Sequence, residues 1–155
     1  MKIKRKITVI KNYTPFPVVE DDEIFSNGIF RFNISKIVDH IQTGEIKVEQ
    51  ERINIKEWYK SHHFHGTINE EHLPTVDVNK TIIQAEISPN VFTIIDGNHR
   101  MEKAYREGIT YIDSYKLMCE QFLPYFVDIH GYEAFVDYWN SKLKEREHLA
   151  KLQKQ

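Results

Sequence analysis

Residues 92–108 read Phe-Thr-Ile-Ile-Asp-Gly-Asn-His-Arg-Met-Glu-Lys-Ala-Tyr-Arg-Glu-Gly, and this stretch decides the fold that the sequence predicts. Its first four residues are apolar or β-branched, which is typical of a strand. Asp96 and Gly97 favour a turn, because glycine tolerates a positive φ. A helical pattern follows and ends at Gly108, a residue suited to the end of a helix. We therefore predict a strand, a tight turn and a helix that begins at about Asn98 to Arg100.

A strand, turn and helix in this order can form an anion site. The start of a helix presents free backbone N–H groups and a partial positive charge. Gly97 would let a ligand approach the backbone, Arg100 supplies a fixed cation for a phosphate, and His99 can donate a further hydrogen bond. Because cations in the first turn oppose the helix dipole, His99 and Arg100 indicate that a negative group shares the site. The alternative is an ordinary connection with two solvated side chains.

Length and composition limit the class of protein. A chain of 155 residues with 41% hydrophobic and 28% charged residues is long enough for one domain with a sizeable core. The net charge of −2 implies no general affinity for nucleic acid, although a local basic site is compatible with it. Cys119 is the only cysteine, which excludes an internal disulfide and a Cys-rich metal site. No apolar run approaches the roughly 20 residues of a membrane span, so we expect a cytoplasmic protein that does not contact membranes.

Regular patterns surround the central stretch. Residues 30–34 alternate apolar and polar side chains and predict a strand, and Ser35 is the expected N-cap of a helix that ends at Gly44. Asn54 and Glu57 resemble a capping box at the start of a second helix. Three β-rich segments follow, and the last two predict a hairpin that leads to Asp96. These segments are 75–78, 82–87 and 91–95, and residues 111–118 predict a further strand.

The two ends of the chain flank this domain. We assign residues 1–28 to an N-terminal arm, 29–127 to the domain, and 128–155 to a C-terminal helix packed on it. Phe135, Tyr138, Trp139 and Leu143 mark the buried face of that helix. The charged end beyond Leu143 extends into solvent or meets a protein partner.

The turn also carries a family resemblance. The stretch Asp96-Gly97-Asn98-His99-Arg100 and its helix resemble the signature turn of the ParB/sulfiredoxin superfamily, in which a Gly-x-x-Arg turn binds nucleotide phosphates. A strand that runs straight into a helix of the form Ile-Ser-Lys-Ile at 34–37, and the hairpin before the turn, are similar to that family as well. The resemblance covers about residues 30–118. It implies an α+β fold with a small mixed sheet and flanking helices, to which this chain adds the long C-terminal helix.

The resemblance also implies a ligand and its contacts. In the family, an arginine of a Gln-x-Arg-like segment faces the nucleotide, and Gln50-Glu51-Arg52 matches that segment without the usual proline. The implied phosphate-binding residues are Arg52, Gly97, Asn98, His99 and Arg100, and the implied ligands are ATP or CTP with Mg²⁺. A solvated charge cluster is the alternative for residues 50–52.

Several activities are known on this fold. The sulfiredoxin cysteine corresponds to Asn98, so sulfiredoxin chemistry is not expected. The partitioning proteins continue into a helix-turn-helix domain where this sequence predicts a single long helix, so their role is not expected either. The Asp-Gly-x-His-Arg form resembles free-serine kinases, which use a carboxylate base. We therefore predict a nucleotide-dependent phosphotransferase or nucleotide hydrolase, with Asp96, His99 and Glu51 as candidate catalytic residues. Asp96 either holds His99, binds Mg²⁺ or stabilises the turn. A regulatory module without catalysis and a ParB-like nuclease acting on nucleic acid remain alternatives.

Three histidines lie close together in residues 61–66, which read Ser-His-His-Phe-His-Gly. Imidazole is a common metal ligand, but no acidic or cysteine ligand stands beside these histidines at a metal-binding spacing. The segment is then either a metal site, a loop that contacts phosphate or base, or a solvated loop. We assign no metal site.

Overall fold

The computed structural model describes residues 5–62 and 67–154, and within them the chain has an α+β fold with two sheets and five α-helices. The strands are β1 Ile24–Asn27, β2 Phe30–Asn33, β3 Glu49–Asn54, β4 Ile82–Ser88, β5 Val91–Asp96 and β6 Tyr111–Leu117. The helices are α1 Ile34–Thr43, α2 Ile55–Ser61, α3 Asn98–Arg106, α4 Cys119–Phe122 and α5 Ile129–Gln153. Short 3₁₀ helices cover Leu73–Thr75 and Leu123–Tyr125.

The larger sheet has four strands in the order β3-β6-β4-β5. Strand β3 is antiparallel to β6, with Glu51 opposite Ser114, whereas β4 is parallel to β6, with Ile82 opposite the same Ser114. The sheet is therefore mixed. The predicted α+β class, the mixed sheet and the long C-terminal helix are confirmed, as is the start of the central helix at Asn98.

The chain divides into two compact units. The first contains the described residues of 5–46, 86–92 and 118–154, and the second contains Lys47–Ala85 and Thr93–Leu117. The second unit has its own core, in which α3 contributes Met101 and Ala104. Both side chains pack against sheet residues and the start of α2. The other buried members are Ile53, Ile55, Ile82, Ile94 and Ile112.

The first unit is built around aromatic side chains. Phe32 packs edge-to-face on Phe122 and Phe126, and Phe135 and Trp139 of α5 are fully buried beside them. The N-terminal segment is bound to the same unit. Residue 7 exchanges two backbone hydrogen bonds with the Asn140 side chain, at 2.9 and 2.7 Å. The segment assigned to the arm also contains β1, which pairs with β2.

Most predicted elements are observed. Five features agree with the sequence predictions: the strand at 30–33, the left-handed Gly44 at the end of α1, the Asn54 cap of α2, the hairpin β4–β5 and strand β6. The N-cap at Ser35 is wrong. The Asn33 side chain caps α1 by accepting from Lys36 N at 3.0 Å, and Ser35 Oγ instead accepts from Glu23 N.

The strand predicted over residues 75–78 is also wrong. The chain forms the 3₁₀ helix at Leu73–Thr75, and Val76 then adopts an extended conformation outside any strand. A lysine side chain takes the place of a neighbouring strand here. Lys103 Nζ donates to the carbonyls of Pro74 and Val76 at 3.1 and 2.9 Å. These carbonyls are satisfied without a neighbouring strand.

Within the described ranges, every helix is too short or too polar to cross a bilayer.

Candidate functional site

The turn between β5 and α3 belongs to the second unit. β5 ends at Asp96, Gly97 adopts φ 110°, and α3 begins at Asn98. Met101 N donates to Gly97 O at 2.9 Å, which closes the first turn of the helix. In the described part of the chain no side chain caps this helix end. Its first backbone N–H groups are therefore left to solvent or to a ligand.

Packing inside the protein and the backbone conformation both require a glycine at position 97. A Cβ at this position would lie 2.7 Å from Ile82 Cβ and 2.9 Å from Arg100 Nη2, and the positive φ disfavours any L side chain. The Ile82 and Arg100 side chains occupy the space that a Cβ would take, so packing alone requires the glycine here. The approach of a ligand to its backbone stays a prediction.

The negative group beside Arg100 is Asp96. Arg100 Nη2 donates to Asp96 Oδ2 at 3.1 Å, and the two side chains are only 11% and 13% exposed. The pair is four residues apart and offsets the unfavourable placement of a cation at a helix start. Arg100 Nε is buried and has no hydrogen-bond partner among the described residues. A buried donor without a partner is unfavourable by about 1–3 kcal/mol.

His99 is held by a different segment. Its Nε2 accepts a hydrogen bond from Asn69 N at 3.0 Å, and its ring packs edge-to-face on His72 with centroids 4.9 Å apart. Burial, and then the nearby His72, lower the pKa of His99. With Nε2 accepting, the neutral ring carries its proton on Nδ1, which can donate. Of the roles open to Asp96, holding His99 is therefore wrong, because Asp96 bonds Arg100 instead.

Asn98 borders a shallow pocket. Its side-chain amide donates to Ile94 O at 3.4 Å, and the pocket volume of about 20 Å³ has room for one water molecule. His62 lines this pocket, stacked on the Trp58 ring at 3.6 Å with Nδ1 2.8 Å from Trp58 O. His63 and His65 lie outside the described residues. The full lining is Trp58, Tyr59, His62, Thr93, Ile94, Asn98 and Met101.

The structure does not bring Arg52 to the turn. Side chains alternate along β3, and Ile53 enters the core beneath α3, so Arg52 lies on the opposite face of the sheet. Its side chain is 69% exposed, with Nε 3.6 Å from Asp113 Oδ1 and the guanidinium over the Tyr111 ring. The expectation that Arg52 forms the facing wall fails for this reason.

Glu51 lies on the same face of the sheet as Ile53. It is opposite Ser114, which is opposite Ile82, and the Ile82 side chain borders Gly97. Two strand spacings separate Glu51 from Ile82, or about 10 Å. Glu51 is therefore on the side of the sheet that carries the turn.

The Glu51 carboxylate belongs to a polar network that the sequence reasoning missed. Lys116 Nζ donates to Glu51 Oε2 at 2.9 Å, Ser114 Oγ donates to Glu51 O at 2.8 Å, and Gln84 Nε2 donates to Ser114 Oγ at 2.9 Å. Gln84 and Ser114 are almost completely buried. A glutamine inside the predicted strand 82–87 was the signal that could have revealed this network, since a buried amide needs partners.

Among the described residues, no group of three or more His, Cys, Asp or Glu side chains is placed to hold a metal ion. The fold and the turn define an α+β protein with an uncapped, arginine-bearing helix start at the end of a β-hairpin. Comparison with family models, curated proteins and solved structures gave no match to this chain.

Proposed function

We propose that the turn at residues 97–100 binds the phosphate groups of a nucleotide. The observation that supports this most directly is the buried, unpartnered Arg100 Nε beside the uncapped start of α3. A phosphate oxygen would satisfy Nε, and the helix N–H groups and the His99 Nδ1 proton would take further oxygens. The resemblance to the ParB/sulfiredoxin fold points to the same turn and to ATP or CTP as the ligand.

In this proposal, the Asp96 carboxylate holds the Arg100 guanidinium in place. The guanidinium has five N–H donors, and the bond from Nη2 to Asp96 fixes its plane while leaving Nε for the ligand. Mg²⁺ binds through one or two carboxylates together with substrate phosphates. Because Asp96 already pairs with Arg100, these residues fit the phosphates better than they fit a metal.

The activity we propose is phosphoryl transfer from the nucleotide to a hydroxyl compound or to water. Glu51 is the proposed base, on the face of the sheet that carries the turn. Lys116 and Gln84 donate to its carboxylate, and Ser114 donates to its backbone carbonyl. Arg100 and the helix start would stabilise charge on the transferred group. Arg52 takes no part in this proposal, because it projects from the other face.

Isothermal calorimetry with ATP, CTP and GTP, with and without Mg²⁺, tests the site. Arg100→Ala should weaken binding roughly tenfold to a hundredfold, the effect of losing a hydrogen bond to a charged group. Asp96→Asn removes the charge of the pair, but the amide oxygen can still accept from Arg100 Nη2 and hold the guanidinium in place, so binding should persist. Arg106→Ala is the matched control, since this exposed α3 arginine pairs with Glu70 at the far end of the helix.

The three variants separate a binding role from a structural one. Circular dichroism first establishes that each variant is folded. Equal losses for Arg100→Ala and Asp96→Asn would show that the pair is structural, and no binding by wild type would refute the proposal. If a nucleotide binds, turnover by wild type and Glu51→Gln then tests the proposed base. A Glu51→Gln protein with full turnover would exclude it.

A further inference from the structure

A second candidate surface lies between α2 and α3 in the second unit. The groove has a volume of about 260 Å³ and is lined by Lys56, Tyr59, Lys60 and Tyr105. It shares no residue with the turn at 97–100, since Tyr105 lies near the end of α3. Its volume is slightly below the ~300–1,000 Å³ of typical small-molecule pockets, which suits one flat ring better than a whole cofactor.

The groove presents an exposed aromatic ring that is held in place. Tyr105 is 48% exposed, and the Tyr59 ring braces it edge-to-face with centroids 4.7 Å apart. Burial, and then Glu102, raise the pKa of Tyr59 to about 12, so the supporting phenol stays neutral. An exposed ring fixed by its neighbour is a preformed stacking platform, because every nucleobase has a flat face to pack on it.

Two lysines flank this ring. Lys56 and Lys60 are four residues apart on α2 and therefore lie on one side of the helix. Lys60 contacts Glu57 at 3.3 Å, an exposed pair of little strength, and Lys56 forms no ion pair among the described residues. The α3 cation Lys103, by contrast, is bound to two backbone carbonyls. The groove thus places Lys56 and the weakly paired Lys60 beside the ring, on a chain whose net charge is −2.

We propose that this groove binds single-stranded nucleic acid, with a base stacked on Tyr105 and the backbone phosphates on Lys56 and Lys60. An acidic peptide would use the two lysines but would leave the exposed ring face without a flat partner. The combination of a ring platform and flanking cations is the one that single strands use. This inference does not depend on nucleotide binding at the turn.

Fluorescence anisotropy with labelled ten-residue oligothymidine and oligouridine, at 50 and 200 mM salt, tests the groove in the full chain. Tyr105→Ala should weaken binding about tenfold, whereas Tyr105→Phe keeps the ring and should bind like wild type. The double variant Lys56→Gln, Lys60→Gln should reduce the slope of log affinity against log salt by about 1.4, because each of the two lost phosphate contacts contributes about 0.7.

The matched control is Lys144→Gln with Lys151→Gln, two exposed lysines on α5. It should leave affinity and salt slope unchanged. An equal loss in this control would overturn the proposal, because binding would then follow total charge. Unchanged binding by Tyr105→Ala would also overturn it, as would a poly-glutamate peptide that competes as well as the oligonucleotide. If Arg100→Ala abolishes oligonucleotide binding and Tyr105→Ala does not, the strand binds the turn instead.

Discussion

Gly97→Ala tests whether the central turn is shaped by packing inside the protein. Two costs combine in this variant. An L residue at φ 110° is strained by about 1–2 kcal/mol, and the new methyl group would overlap Ile82, which adds about 1–3 kcal/mol of overpacking. Restricting the unfolded chain offsets about 0.4–1 kcal/mol of this. We expect a net loss of about 1–4.5 kcal/mol in the free energy of unfolding.

Gly108→Ala is the matched control for this loss. Gly108 also has a positive φ, 73°, but a Cβ there would meet nothing within 4 Å. Only the backbone strain should remain, so Gly108→Ala should be less destabilised than Gly97→Ala by about 1–3 kcal/mol, the overpacking term. Urea unfolding, monitored by circular dichroism, measures the free energy of unfolding of both variants. An unchanged m value, the slope of that free energy with urea concentration, shows that two-state behaviour is retained.

A double-mutant cycle locates the overlap. Ile82→Ala removes Cγ2, one of the two Ile82 carbons that the new methyl group would meet, and keeps Cβ. The overlap should therefore be relieved in part, and the double variant should be less destabilised than the sum of the two single variants. If Gly97→Ala and Gly108→Ala cost the same within 0.5 kcal/mol, and the cycle shows no coupling, the steric account of Gly97 is wrong.

Three further predictions concern single side chains. An NMR titration of His99 should give a pKa below the ordinary value of about 6.5, because burial disfavours the charged ring. The contribution of the neutral ring to the free energy of unfolding should be complete above about pH 6.5 and should decline as the pH falls. A titration midpoint above about 6.5 would contradict the burial argument. Trp139→Ala should cost about 3–5 kcal/mol because the ring is fully buried, whereas Leu152→Ala, at 49% exposure, should change stability by less than about 0.5 kcal/mol in the same urea assay. Cys119 should resist a thiol reagent in the native protein and react on unfolding, since burial raises its thiol pKa, and rapid native labelling would refute this.

Local sequence patterns determined the elements of this fold. The alternation at 30–34, the capping pair Asn54 and Glu57, and the stop at Gly44 depend on neighbours a few residues away, and each is observed. The strand, turn and helix around Gly97 were predicted for the same reason. Where a distant side chain took over a backbone group, as Lys103 did for residues 74 and 76, the local prediction failed.

Tertiary structure decided the arrangement of the candidate site. Arg52 and Glu51 are adjacent in sequence, yet the two-residue period of β3 sends them to opposite faces, and only the buried position of Ile53 tells which face carries α3. His99 is held by Asn69, 30 residues away, and Glu51 by Lys116, 65 residues away. A residue's type shows what it can donate or accept, but its partner is chosen by strand register and packing, which bring together groups that no local pattern relates.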